Sequence, residues 1–199
     1  MGALLTVGTT IFVAELTDKD ALLLLSLATR FRSILVFGAG LIAFTITSAI
    51  IVTFGQLLVD YVPVSWVTLA GGTIMIGYGI WSYFTGRDSD EATEVERRLA
   101  SSAHKGEASV FLSAVGLLVL LDLSGDATEV LTILFVARFQ NVVIVFIGAV
   151  LALIAATAVE TAIGKRLSKI LSVARIRVFS LCVFLAIGAT AIVSVLLHV

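Results

Sequence analysis

Glu15-Leu16-Thr17-Asp18-Lys19-Asp20 places four charges within six residues of an otherwise apolar run. Ile11-Phe12-Val13-Ala14 precede it and Ala21-Leu22-Leu23-Leu24-Leu25 follow. A second acidic stretch, Asp122-Leu123-Ser124-Gly125-Asp126-Ala127-Thr128-Glu129, has a similar setting in the other half of the chain. A charge at the centre of a bilayer costs at least about 2.5–3.5 kcal/mol, so it persists only when paired, hydrated or functional. The donors on offer are carboxylates, the hydroxyls of Thr17, Ser124 and Thr128, and backbone carbonyls; no His or Cys lies near either stretch. Oxygen-only donors suit hard cations such as Ca²⁺, Mn²⁺ and Mg²⁺ and argue against Zn²⁺ or Cu⁺. The two stretches read as the halves of one cation site.

Together they hold six acids and one lysine. Apposed acids in a low dielectric retain protons while the site is empty. A divalent ion entering would expel them, which gives cation/proton antiport by competition for the same carboxylates. Lys19 serves as an internal counter-ion for Asp18 or Asp20, because an ammonium has no lone pair to offer a metal. On a regular helix Glu15 and Asp18 lie about 60° apart, whereas Asp20 points about 140° from Glu15. Either the helix is interrupted there or Asp20 pairs with Lys19. Asp122, Asp126 and Glu129 fall within about 60° on an unbroken helix. Gly125 is the natural break point, and an unwound turn would free carbonyls that are tolerated only beside a polar cavity.

The elements that position these residues follow from composition. Of 199 residues 59% are hydrophobic and 14% charged, with mean hydropathy +1.13. Soluble domains carry about 25% charged residues, so this is an all-α integral membrane protein. No basic stripe with interleaved aromatics points to nucleic acid. The single Cys182 excludes a disulfide framework and reads as a small packing residue. The start lacks a basic region, so no cleaved signal peptide is expected.

Six apolar segments are expected: 3–31, interrupted by the first acidic stretch; 33–59; 64–85; 108–139, interrupted by the second; 142–163; and 178–199. Gly38, Gly40, Gly71, Gly72, Gly77 and Gly79 allow close helix contact. Pro63 suits the start of a helix. Trp66, Trp81 and Tyr83 fit interfacial belts. Residues 86–107 form a hydrophilic linker, with a short surface helix over 91–101, and 165–177 a basic turn. Glu160, close to that turn, reads as reaching water or Lys165, with a gating or relay role as the alternative. His104 and His198 read as solvated.

Arg30, Arg32, Arg87, Arg97, Arg98, Lys105, Lys165, Arg166, Lys169, Arg175 and Arg177 all fall on one side, against Arg138 on the other. Lys/Arg bias puts that richer side in the cytoplasm and both termini outside a plasma membrane.

Aligning Asp18 with Asp126, 108 residues on, brings Arg30-Phe31 onto Arg138-Phe139 and Gly40 onto Gly148. Glu15 meets Asp122 only if the second half carries one extra residue. With three spans each, an odd number, the halves (1–85 and 108–199) enter the membrane from opposite sides. Two inverted three-helix repeats result, with binding expected where interrupted helices meet near the midplane.

Glu15-Leu16-Thr17-Asp18-Lys19-Asp20 and Asp122…Gly125-Asp126-Ala127-Thr128 resemble the twin Glu-x-Gly-Asp-Lys/Arg-Ser/Thr motifs of the calcium/manganese cation–proton exchanger family. Thr17 stands for that family's glycine, Asp20 for its hydroxyl residue, Asp122 for its second Glu and Ala127 for its basic residue, with Ser124 inserted. The resemblance implies a non-enzymatic secondary transporter that exchanges Mn²⁺ or Ca²⁺ as substrate for protons, without a cofactor. Glu15, Asp18, Asp122 and Asp126 would hold the metal; Asp20, Glu129, Thr17, Ser124, Thr128 and Lys19 would assist or carry protons. The rival readings are an exporter of a small organic cation or amino acid and a divalent-cation channel. The sequence leaves the oligomeric state open, a homodimer included.

Overall fold

A computed structural model describes residues 1–16, 24, 27–28, 31–85, 97, 106–123, 127–170 and 173–197, the side chains of 163–170 and 173–177 excepted. The described elements are helical: α1 (Gly2–Glu15), α2 (Ser33–Tyr61), α3 (Val64–Thr85), α4 (Glu107–Asp122), α5 (Ala127–Phe139), α6 (Val142–Ile170) and α7 (Val173–Leu196). A helix satisfies every backbone group within itself, as a chain of this hydropathy requires in lipid. Four of these helices are long and apolar enough to cross a membrane, and five when α4 and α5, bent by 62° at a short break, are taken as one broken span. In place of the expected first span, 3–31, α1 is 14 residues long, too few to cross alone. Asp18, Lys19 and Asp20 lie outside the described residues, as do the linker helix expected over 91–101 (Arg97 excepted) and both histidines.

Local chemistry sets the helix ends. Val62, restricted to extended backbone by the proline after it, closes α2 at φ −118°, ψ 132°. The Pro63 carbonyl then accepts from Trp66 N–H at 2.9 Å, so proline starts α3 as expected. Between α5 and α6, Gln140 takes a left-handed φ of 48°, and Asn141 Oδ1 caps α6 by accepting from Ile144 N–H at 3.0 Å. The basic turn expected over 165–177 is instead helical to Ile170 and again from Val173. Lys, Arg and Leu are good helix formers, and basic residues suit a helix C-terminus, so α6 outruns its apolar part.

The two ends of the bundle can be told apart. A cleft is lined by the starts of α1 and α3 and the ends of α5 and α7, and the tight turn at Gln140-Asn141 puts the start of α6 at that end too. At the opposite, linker end, Arg32 before α2 pairs with Glu107 of α4 at 3.1 Å. Hence α1 and α6 run in the same direction, whereas α2 and α4 run in the other.

The halves interlock rather than sit side by side. α1 packs along α6, while α4 packs along α2; α2 meets α6, and α3 meets α7. Glycines bring the backbones together. A Cβ on Gly188 would stand 2.6 Å from Gly72 O, and one on Gly148 would stand 2.8 Å from the Val7 side chain. Gly71, Gly72 and Gly79 are buried on α3 as expected, but Gly77 meets nothing within 4 Å. Cys182 is likewise exposed, not packed, because α7 turns another face to α3. Ile42, Ile46, Ile50 and Phe54 make an exposed apolar stripe on α2, the face such a helix gives to lipid.

Candidate cation-binding site

Glu15 and Asp122 occupy equivalent places in the two halves: each is the last residue of its helix. Leu16 and Leu123 follow in right-handed helical conformation and give their N–H groups to Phe12 O and Val119 O. The extra residue needed to align Glu15 with Asp122 therefore falls after the helix end. Both carboxylates are buried, with 0% and 4% exposure. Free carbonyls gather at a helix C-terminus, where the macrodipole disfavours an acid by about 0.3–1 kcal/mol. Two buried acids on two such ends concentrate oxygen acceptors and negative potential, the arrangement that half-helix ends use to hold cations in membrane transporters.

Each acid is held by a threonine from the opposite half. Thr128, in the first turn of α5, donates to Glu15 Oε2 at 3.0 Å. Thr47, in the middle of α2, donates to Asp122 Oδ2. Thr128 is itself fixed in a ladder, since Thr132 donates to its carbonyl at 2.8 Å. Glu129 is half-buried beside Thr128, in the first turn of α5, the end at which an acid is favoured. The break between α4 and α5 removes the single acidic stripe expected for an unbroken helix: Asp122 closes one helix and Glu129 opens the next.

Of the expected ligands, the structure thus places Glu15 and Asp122; of the assisting residues, Thr128 and Glu129. Asp18, Asp126, Asp20, Thr17, Ser124 and Lys19 lie outside the described residues. Among the described residues no three carboxylate, imidazole or thiol groups converge into a metal cluster. Sequence reasoning missed Thr47. Its signal was present: Thr47-Ser48 is a polar pair inside the apolar run of α2, one turn from Phe44, and both members are buried.

The cleft has a volume of about 1080 Å³ and is lined in part by hydroxyls, among them Thr6, Thr10, Thr68, Thr190 and Ser194. Thr6, Thr68, Thr190 and Ser194 donate to carbonyls of their own helices, which leaves lone pairs for the cleft. Thr10 and Leu131 line it too. They stand five residues before Glu15 and three after Thr128, about 5–8 Å along their helices.

Glu160 departs from expectation. It does not reach water: its exposure is 0%.

Apolar helices of membrane length, packed across two halves with acids buried where α1 and α4 end, fit a multi-pass membrane protein. The family model described as divalent cation/proton antiporter GDT1 matches the chain twice, over residues 3–90 and 110–197. The chain belongs to this family of divalent cation/proton antiporters. No curated protein and no solved structure matches it.

Proposed function

We propose that the chain exchanges Mn²⁺ or Ca²⁺ for protons by alternating access, on six transmembrane helices arranged as two inverted three-helix repeats. The opposite directions of α1 and α4 support the inversion. Glu15, Asp18, Asp122 and Asp126 hold the metal. Asp20, Glu129, Thr17, Ser124, Thr128 and Lys19 shape the site or carry protons. The observation that carries this reading is the pair of buried carboxylates closing α1 and α4, each tied to a threonine of the other half. Cation and protons compete for these oxygens, so an arriving divalent ion releases protons. The hydroxyl-lined cleft supplies one access path. The linker end faces the cytoplasm of a plasma membrane, in keeping with its Lys/Arg excess.

One observation favours a second reading. The cleft is roomier than an ion needs, and sites of about 300–1,000 Å³ hold small organic molecules, so a small organic cation or an amino acid is the alternative cargo. Purified protein in liposomes with a trapped pH dye separates the cases. An imposed Mn²⁺ or Ca²⁺ gradient is expected to drive counter-movement of protons. Metal uptake without a proton signal would mean a channel. Silence with Mn²⁺, Ca²⁺ and Mg²⁺ would overturn the antiport reading and favour the organic cargo.

A further inference from the structure

Glu160 is a buried acid that the site above does not use. It continues the stripe of α6 that packs on α1 and α2: Val145, Gly148, Ala149, Ala152, Leu153, Ala156 and Thr157 precede it at helical spacing, all buried. At this position the stripe would be expected to carry another small or apolar residue. Neither carboxylate oxygen of Glu160 has a hydrogen-bond partner among the described residues.

Its neighbours on that face are acceptors. Thr157, one turn earlier, donates to Leu153 O at 2.8 Å, and Thr161 donates to Thr157 O at 2.7 Å. Both hydroxyl protons are committed to the helix, so the two oxygens offer lone pairs and no donor to Glu160. Close packing shuts the place off: a Cβ on Gly40 of α2 would lie 3.0 Å from Thr157 Cγ2 and 3.8 Å from Leu24 Cδ2.

A buried group made only of acceptors must be completed by something positive. Charge balance decides what. A divalent ion here would meet one negative charge from the described residues and leave one positive charge in low dielectric. A proton leaves none. The helices packed against α6 bring no cation to this place among the described residues: their acids Glu15 (α1) and Glu129 (α5) belong to the site already described, while Arg138 and Asp60 lie at the far, cleft-side ends of α5 and α2. Arg32, just before α2, is exposed and already paired with Glu107.

Position supplies the rest. Val7 meets Gly148 and α1 runs parallel to α6, so Glu15 lies level with about residue 156. Glu160 stands about 6 Å further toward the linker end, at 1.5 Å per residue. We propose that Glu160, flanked by the Thr157 and Thr161 oxygens, is the proton station between the metal-binding acids and the linker side. It holds one of the exchanged protons while the site is empty, gives it to water at the linker end as the cation enters from that side, and takes one up again after the cation has left. This rests on the antiport reading.

The test is the number of protons moved per Mn²⁺ in liposomes holding wild-type protein, Glu160→Gln or Glu160→Asp, with Mn²⁺ binding measured on each. Glu160→Gln should keep Mn²⁺ binding within about twofold yet move at least one proton fewer per ion, and Glu160→Asp should restore part of the coupling. An unchanged proton-to-metal ratio and pH profile in Glu160→Gln would overturn the proposal and leave the antiport reading standing. So would loss of Mn²⁺ binding in a folded Glu160→Gln, which would make Glu160 a metal ligand. Absence of proton movement in the wild type would overturn both. If Glu160→Gln does not fold, Glu160→Asp decides: a shifted pH profile of exchange supports the station, and an unshifted one contradicts it.

Discussion

At the scale of residues, Thr47 and Thr128 hold the buried carboxylates of Asp122 and Glu15 across the boundary between halves. Side-chain hydrogen bonds inside membrane proteins average about 0.6 kcal/mol and reach about 1.7, too little to hold the bundle together. Their larger effect should fall on the geometry of Glu15 and Asp122, since a carboxylate released from its donor rotates away from the cation. Thr128→Val, which keeps shape and removes the donor, is therefore expected to weaken Mn²⁺ binding several-fold while lowering the unfolding temperature little. Thr47→Val should do the same through Asp122. Titration of purified protein with Mn²⁺, beside thermal unfolding, checks both; unchanged binding would mean that the threonines are packing residues. The acids were legible in the sequence because charge in an apolar run is costly. Their threonine partners were less so, because a threonine can satisfy itself on its own helix, as Thr45 and Thr53 do within α2.

At the scale of elements, two features matter: interrupted helices and glycine contacts. The break after Asp122 was legible from Gly125 and the charge around it. Its consequence was not, because a helix wheel treats the helix as continuous and merges Asp122 with Glu129. Spacing alone also could not tell which glycines are contacts. Gly72 and Gly188 bring α3 and α7 to backbone contact, whereas Gly77, on the same helix, looks outward. Gly188→Ala forces the two helices apart, and overpacking of this kind costs about 1–3 kcal/mol. Gly77→Ala has open space and gains helix propensity, so it should be neutral or stabilising by up to about 1 kcal/mol. Unfolding temperatures should diverge accordingly, and equal values would contradict the described α3–α7 packing. The burial of Glu160 belongs to this scale too. The sequence places it near a basic stretch and suggests an escape to water. The face α6 turns to its neighbours shows otherwise.

At the scale of the molecule, the halves are interleaved, so neither has a core of its own. α1 packs on α6 and α4 on α2, and the buried acid that closes α1 or α4 in each half is fastened to the other half. Rocking one half against the other would therefore alter both carboxylates at once, which is what alternating access around a shared site needs. The hydroxyl-lined cleft runs inward from the end opposite the linker as far as Thr10 and Leu131, the direction of Glu15 and Thr128.

The acids closing α1 and α4 are expected to carry both metal and protons. Mn²⁺-driven proton movement in liposomes, compared between wild type, Glu15→Gln and Asp122→Asn, tests it most directly, with size-exclusion behaviour and unfolding temperature confirming that each variant is folded. At least a tenfold loss of exchange is expected in both folded variants. Wild-type exchange in both would contradict it, and would move the site away from the ends of these two helices.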